Sequence, residues 1–126
     1  MLKAGVLGAG HLGKIHLKLL NQSERYELVG FYDESETTAK TVAEEYGYHR
    51  FDSIAQLIDA CDIVDVVTPT THHFDCAEQV IKAGKHLFIE KPIAQTVEQA
   101  VAIRELAKKH GVRGQVGHVE RFNPAF

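Results

Sequence analysis

A glycine-rich segment near the start of the chain has the residue types and spacing that bind a diphosphate. It reads Gly8-Ala9-Gly10-His11-Leu12-Gly13 and directly follows a short apolar run. Between a strand and a helix, the first glycine permits a tight bend, the second lets the backbone approach the anion, and the third brings helix and strand close. The free amides of the first helical turn donate to the diphosphate without a basic side chain. The turn therefore predicts five dinucleotide-binding residues: Gly8, Gly10, His11, Leu12 and Gly13.

An acidic residue at a suitable distance supports this interpretation. Asp33 lies 20 residues after Gly13, at the end of the second predicted strand, where a carboxylate accepts hydroxyls of an adenosine ribose. A 2'-phosphate about 4 Å from this carboxylate would be repelled by about 4 kcal/mol at an effective dielectric constant of about 20. We therefore expect NAD rather than NADP, although Lys40 or Arg50 could fold back and weaken the preference. A purely steric turn and a site for S-adenosylmethionine remain the alternatives.

The elements around this turn indicate an α/β fold. Short apolar runs rich in branched residues alternate with segments of helical spacing. The runs cover residues 4–7, 28–32, 48–51, 63–68, 86–89 and 113–116, of which 48–51 is the weakest. Right-handed crossovers between such strands predict a Rossmann doubly wound parallel sheet with strand order 3-2-1-4-5-6. In this fold, ligands bind at the carboxyl ends of the strands.

The helical segments carry recognisable starts and ends. An apolar stripe at helical spacing follows Gly10 and consists of Leu12, Ile15, Leu19 and Leu20. Two capping-box pairs predict helix starts, namely Ser53 with Gln56 and Thr96 with Gln99. Three glycines directly after helical patterns predict left-handed helix ends: Gly47, Gly84 and Gly111.

Composition limits the class of protein. The 126 residues include 14 Lys plus Arg and 17 Asp plus Glu, and 44% are hydrophobic, which suits one domain with a core of its own. The apolar run at residues 4–10 is too short for a membrane span or a secretory leader, so we expect reduced Cys61 and Cys76 and a cytoplasmic location. Because the charge of −3 is spread without a basic block, neither nucleic acid nor a membrane is an expected partner.

Two later segments carry a family resemblance. They read Thr68-Pro69-Thr70-Thr71-His72-His73 and Gly84-Lys85-His86-Leu87-Phe88-Ile89-Glu90-Lys91-Pro92. Together with the glycine turn, they make nearly the whole chain resemble the nucleotide-binding half of the glucose-fructose oxidoreductase, inositol dehydrogenase and MocA (Gfo/Idh/MocA) family. The resemblance implies hydride transfer between a nicotinamide and a carbinol carbon of a sugar, polyol or nucleotide sugar.

The same resemblance implies roles for residues in both segments. Lys91 would reach between nicotinamide and substrate as the catalytic residue, where an ammonium polarises the reacting oxygen and shares in proton transfer. A proline such as Pro92, in a cis bond, would hold it there. The implied cofactor contacts are Thr68, Pro69, His73, Glu90 and Lys91. Taken singly, Lys91 also reads as a solvated lysine and Glu90 as an exposed carboxylate.

The resemblance also implies that the catalytic site is incomplete in this chain. In the family, a proton-accepting histidine and its acidic partner lie in a second domain, and the full-length proteins generally form homo-oligomers. We therefore expect a dinucleotide-binding domain at 1–118 and, at 119–126, a crossover stub containing Arg121-Phe122-Asn123-Pro124. Phe122 and Phe126 would then be exposed, whereas a complete sensor module without enzyme activity would bury them. A biliverdin-reductase-like activity also stays open.

Two further features concern histidines and one acid. His11 and His16 are five residues apart, and His72 and His73 are adjacent, so neither pair has the spacing that places two metal ligands on one helix face. No metal site is expected. Asp65 interrupts the apolar run at 63–67, where a carboxylate needs hydrogen-bond donors or a raised pKa. A bond to a neighbouring loop or a partly exposed strand would account for it.

Overall fold

A computed structural model describes residues 1–117, so the predictions for Phe122, Phe126 and residues 119–126 lie outside the described residues. Its five strands form one parallel sheet in the order β2-β1-β3-β4-β5. The strands are β1 (Leu2–Leu7), β2 (Tyr26–Tyr32), β3 (Ile63–Val66), β4 (His86–Glu90) and β5 (Gly114–Gly117). The order reverses direction between β1 and β3, as in the Rossmann fold predicted from the sequence.

Five helices and one 3-10 turn connect the strands. They are α1 (His11–Gln22), α2 (Glu36–Tyr46), α3 (Ile54–Ala60), the turn Thr70–His72, α4 (His73–Lys82) and α5 (Val97–His110). The predicted starts of α3 and α5 are present, because the hydroxyls of Ser53 and Thr96 each accept a bond of 3.1 Å from the backbone amide three residues later. The three predicted helix-end glycines all have positive φ, at 74° for Gly47, 75° for Gly84 and 65° for Gly111.

The prediction of a strand at 48–51 is wrong. Only Arg50 forms a bridge, to Phe31 of β2, with the Phe31 amide 3.0 Å from the His49 carbonyl oxygen. The ladder stops there because Asp52 is already in a bend and Ser53 caps α3, so the backbone turns away from the sheet. The observed order is therefore the predicted one with its edge strand reduced to a single bridge.

The sheet is packed on both faces by separate apolar clusters. One contains Val6, Leu17, Phe31 and Val42 beside α1 and α2, and the other includes Leu57 and the inner residues of α4 and β4. Burial on both faces explains why the strands read as continuous apolar runs.

Helix α1 packs only partly through the apolar stripe predicted from the sequence, because Leu20 of that stripe lies against the core cluster while the other three residues are exposed. Gly13 and Leu17 are buried, whereas Leu12, Ile15 and Leu19 are 42%, 43% and 61% exposed. The smallest residue makes the closest contact, because a Cβ on Gly13 would lie 2.0 Å from the Gly8 carbonyl oxygen. This contact sets the rotation of α1 and leaves the larger residues outside.

Both cysteines are free thiols in the core, as expected. Burial raises the pKa of Cys61 to about 12 and also raises that of Cys76. Among residues 1–117, no helix has the length and apolar content needed to cross a bilayer.

Candidate functional site

A cleft of about 620 Å³ opens at the carboxyl ends of β1, β2 and β3. It lies at the point where the strand order reverses, which is the usual ligand position in an open parallel sheet. Eight of the residues predicted to bind the cofactor line it: Gly8, Gly10, His11, Leu12, Gly13, Asp33, Thr68 and Pro69. The fold thus brings together segments that are far apart in the sequence.

The three glycines of the turn have the geometry expected for a diphosphate cradle. Gly8 has φ of 103°, and a Cβ there would lie 2.7 Å from the Val67 carbonyl oxygen. Gly10 is the N-cap of α1, no side chain caps the helix, and an added Cβ would meet no atom within 4 Å. The uncapped first turn of α1 therefore faces open space beside Gly10, an arrangement that fits an anion.

Asp33 closes the β2 side of the cleft and is tied to the glycine turn. Its Oδ2 accepts a hydrogen bond of 2.8 Å from the Ala9 amide, and its Oδ1 accepts one of 2.8 Å from the Ser35 amide. An ionised carboxylate has about four acceptor sites, so these two bonds leave capacity for ribose hydroxyls. The bond to Ala9 had no signal in the sequence, because it depends on how β1 and β2 end side by side.

Of the two basic residues that could reach a 2'-phosphate, Lys40 lies in α2 and Arg50 pairs with Glu36, the first residue of that helix. The guanidinium of Arg50 binds the carboxylate of Glu36 through both terminal nitrogens, with Nη1 2.9 Å from Oε1. The bond and charge of Arg50 lower the pKa of Glu36, to which the charge of Lys40 also contributes. Arg50 would have to leave Glu36 to reach a phosphate in the cleft.

The threonine-proline turn places its two histidines differently. His72 lines the cleft, with its Nε2 3.7 Å from Glu34 Oε1. His73 is 1% exposed, and its ring nitrogens lie 2.8 Å from the carbonyl oxygens of Thr68 and Pro92. His73 therefore links the turn to the loop after β4, and its direct contact with the cofactor stays a prediction. The resemblance gave no reason to select His72.

The Glu-Lys-Pro segment follows the end of β4. Its Lys91–Pro92 bond is cis, as the resemblance implied, and Lys91 is exposed. Glu90 is buried instead of being the exposed carboxylate of the alternative interpretation, and it lies outside the lining of the main cleft. Its Oε1 is 3.0 Å from His16 Nε2.

The His16 imidazole is also the partner of the buried carboxylate of Asp65. His16 Nδ1 lies 2.6 Å from Asp65 Oδ2, so the partner of this buried carboxylate comes from α1 and not from a loop. Burial raises the pKa of Asp65 against the opposing effect of His16. Burial alone lowers the pKa of His16, but the bonds and charges of Asp65 and Glu90 outweigh it and the pKa is raised. Two carboxylates and one imidazole thus form a nearly buried cluster.

This cluster lies at one end of a second cavity of about 370 Å³, which is lined mainly by apolar residues that include Leu19, Leu20 and Phe88. Within residues 1–117, no group of three or more His, Cys, Asp or Glu side chains is arranged to hold a metal ion.

The parallel sheet, the strand reversal and the uncapped glycine turn define a dinucleotide-binding domain of the Rossmann type. A family model described as an oxidoreductase family with an NAD-binding Rossmann fold matches residues 2–118. The chain therefore belongs to the Gfo/Idh/MocA oxidoreductase family, as its motifs indicated.

Similar proteins include several named dehydrogenases. The chain is 36% identical over 124 residues to UDP-N-acetylglucosamine 3-dehydrogenase of Acidithiobacillus ferrooxidans, and a solved structure of that enzyme matches with a TM-score of 0.92. It is 36% identical over 129 residues to scyllo-inositol 2-dehydrogenase (NAD(+)) of Bacillus subtilis. A biliverdin reductase from Synechocystis, solved with biliverdin and NADP+, matches with a TM-score of 0.89 at 28% identity.

The matches cover nearly all of this chain and a minor part of each relative. The match with the A. ferrooxidans enzyme spans 98% of this chain and 39% of that enzyme, or 40% of its solved chain. The match with the inositol dehydrogenase spans 99% of this chain and 38% of the relative. The match with the reductase spans 96% of this chain and 39% of the relative. The chain is thus the N-terminal, nucleotide-binding part of the family architecture.

Proposed function

We propose that this chain is the NAD-binding domain of an oxidoreductase that transfers hydride between a nicotinamide and a carbinol carbon of a sugar, polyol or nucleotide sugar. The observation that carries the proposal is the cleft in which the uncapped start of α1 and the carboxylate of Asp33 face the same space. The names of the sugar and inositol dehydrogenases among its relatives support the substrate class.

Each part of the site has a task in this proposal. The amides of the first turn of α1 bind the diphosphate, and Asp33 accepts hydrogen bonds from the adenosine ribose. With the adenosine on the β2 side, Lys91 would meet the nicotinamide end, because it follows β4 on the far side of β1 and β3 from β2. There the Lys91 ammonium orients the reacting oxygen and shares its proton. The bound nicotinamide supplies the carbon that takes or gives the hydride.

The charges near Asp33 favour NAD over NADP. Asp33 and Glu34 are adjacent carboxylates, and Arg50 is engaged by Glu36. One carboxylate about 4 Å from a 2'-phosphate repels it by about 4 kcal/mol at an effective dielectric constant of about 20, and solvent screening reduces this value at the cleft mouth. We expect NAD to bind at least about tenfold more tightly, a difference of about 1.4 kcal/mol.

Calorimetric titration of the chain tests the binding step. NAD and ADP-ribose should both bind, NADP more weakly, and S-adenosylmethionine not measurably, because it has no diphosphate for the amides of α1. Asp33→Ala should weaken NAD by about tenfold or more, the value of one hydrogen bond to a charged group. Asp59→Ala, at an exposed position on α3, is the matched control. Failure of both NAD and ADP-ribose to bind would refute the proposal.

The hydride step is tested separately, by measuring NADH formation with sugars, polyols and nucleotide sugars. The measurement uses this chain and any longer form that contains it, since the chain spans about two fifths of its relatives. Biliverdin is tested by following the oxidation of NADH or NADPH, because a biliverdin reductase is among the similar structures. If biliverdin is the only compound turned over, the proposed sugar substrate is wrong and the proposed cofactor site is retained.

A further inference from the structure

The two residues on either side of Lys91 are each in contact with a histidine, of which His73 is buried and His16 is half-buried. Glu90, before it, lies 3.0 Å from His16 Nε2, and the carbonyl oxygen of Pro92, after it, lies 2.8 Å from His73 Nδ1. His16 comes from the helix that follows the glycine turn, and His73 begins the helix that follows the threonine-proline turn. The helices that follow the glycine turn and the threonine-proline turn therefore each contact a residue next to the exposed Lys91.

Each histidine is itself held at its second nitrogen. His16 Nδ1 lies 2.6 Å from Asp65 Oδ2, in the middle of β3, and His73 Nε2 lies 2.8 Å from the Thr68 carbonyl oxygen. Neither imidazole is free to rotate without breaking two short contacts, because each ring bridges two fixed elements. A ring held at both nitrogens keeps the two segments that it contacts at a fixed distance from each other.

All four partners of the two rings are acceptors. A carboxylate or a carbonyl oxygen accepts a hydrogen bond only from a nitrogen that carries a proton, and a neutral imidazole carries one. The imidazolium form donates to both partners at once. For His16 the two partners are also charged, and the side chains of His16, Asp65 and Glu90 are only 14%, 10% and 9% exposed, so the contacts are little screened by water.

Glu90 is confined on its other side by the last residue of β5. A Cβ on Gly117 would lie 2.8 Å from Glu90 Oε1, so the carboxylate fits between this glycine and His16. The carboxylate therefore has little room to move away from the imidazole.

We infer that His16 and His73 are positioning residues for Lys91, which hold the backbone on both sides of it at the end of β4. The inference rests on the proposed function, in which Lys91 acts at the nicotinamide end of the dinucleotide. Neither histidine lines the main cleft, and the positioning role requires no contact of either ring with NAD or substrate. His16 additionally joins the phosphate turn to this loop through one helix.

The test is backbone amide hydrogen exchange on the chain and on variants of each histidine. His16→Leu and His73→Leu remove both ring nitrogens, and each should speed exchange at the amides of residues 91–95 other than Pro92 by about tenfold, because local opening then requires fewer bonds to break. His16→Gln and His73→Gln keep one donor and should give intermediate rates. The control is His86→Gln, at the other end of the same strand, where the ring accepts a bond of 3.1 Å from the Arg113 amide.

A second measurement separates positioning from general support of the fold. In the NMR spectrum of the wild type, the Lys91 amide should shift differently with NAD and with ADP-ribose, because only NAD carries the nicotinamide. In both leucine variants this difference should fall by at least about half, while ADP-ribose affinity stays within about threefold of wild type. ADP-ribose reports on the phosphate turn and Asp33, so failure of the wild type to bind it would count against the proposed function. Loss of its binding in a leucine variant alone would overturn the positioning role of that histidine.

Gly117→Ala provides an independent variant that alters neither histidine. Its methyl group must displace the Glu90 carboxylate, and exchange at residues 91–95 should rise as in His16→Leu but by less. The inference is overturned if exchange at 91–95 is no faster in the leucine variants than in His86→Gln. It is also overturned if β1 and α5 accelerate equally, or if the NAD-specific shift at Lys91 is unchanged.

Discussion

Substitution of Gly10 by alanine should weaken dinucleotide binding strongly while leaving the free protein stable. Gly10 has φ of −69° and ψ of −162°, a conformation that alanine adopts, and an added Cβ would meet no atom within 4 Å. The open space beside Gly10 is where the proposal places the diphosphate. The methyl group would therefore clash with the ligand alone.

The size of the effect follows from the contacts at stake. An amide donates to a phosphate oxygen at about 2.9 Å, whereas a methyl carbon keeps other atoms at about 3.5 to 4 Å. Loss of one or more hydrogen bonds to a charged group, at about 1.5 to 3 kcal/mol each, weakens NAD by about 10- to 100-fold. For the free protein, the lower entropy of the unfolded chain contributes about 0.4 to 1 kcal/mol and the poorer N-cap costs about 0.5 to 1 kcal/mol, so stability changes by less than about 1 kcal/mol.

Calorimetry with NAD and urea unfolding measure the two effects on one preparation. Gly114→Ala on β5, where an added Cβ makes only an ordinary contact of 3.8 Å with the Leu87 carbonyl oxygen, is the matched control. Gly13→Ala is the contrasting variant: its Cβ at 2.0 Å from the Gly8 carbonyl oxygen must move α1 by about 1.4 Å, and overpacking costs about 1 to 3 kcal/mol of stability. If Gly10→Ala binds NAD as wild type does, the diphosphate does not lie against this turn.

Three other measurements test single residues. Asp33→Asn should reduce the ratio of NAD to NADP affinity by at least about fivefold, and an unchanged ratio would show that the acid does not face the 2'-position. Burial raises the pKa of Cys61 from 9.0 to about 12, so its thiolate fraction near pH 8 is about a thousandfold lower than in the unfolded chain, and labelling by a disulfide reagent should be correspondingly slow. For His16, burial lowers the pKa, but the larger combined effect of Asp65 and Glu90 raises it above its ordinary value of 6.5. The stability that this gives is complete below pH 6.5 and is lost as the pH rises through the folded-state pKa. Urea midpoints should therefore fall across that range in wild type and less in His16→Gln, and parallel slopes would contradict the role of the ring.

Local chemistry in the sequence was enough to predict much of the fold and the cleft. The glycine turn could be interpreted because its three glycines have distinct steric reasons: a side chain at Gly8 or Gly13 would meet backbone, and one at Gly10 would occupy the space proposed for the diphosphate. The spacing to Asp33 works for a similar reason: the helix and strand between them have set lengths. The apolar runs predicted the parallel sheet because strands buried on both faces leave a continuous pattern.

The contacts of His16 and His73 could not be found in this way. His16 and Asp65 are 49 residues apart, and their meeting depends on how α1 is rotated over the sheet. The apolar stripe of Leu12, Ile15, Leu19 and Leu20 suggested one rotation, but the contact of Gly13 with Gly8 selects another, in which only Leu20 of the stripe packs on the core. At the threonine-proline turn, the choice between His72 and His73 depends on the 3-10 geometry of three residues, which no spacing rule specifies.

The absence of a side chain at Gly13 has consequences at both ends of the proposed site. Because the first turn of α1 lies against the Gly8 carbonyl oxygen, the uncapped amides are held at the edge of the sheet where a diphosphate can reach them. One turn further along the same helix, the same close approach brings the His16 ring between Asp65 and Glu90. A larger residue at position 13 would push α1 away from the sheet, and the uncapped amides and the His16 ring would move with it. The phosphate turn and the loop that carries Lys91 therefore depend on one helix-to-strand contact, and loosening it should impair cofactor binding and lysine placement in parallel.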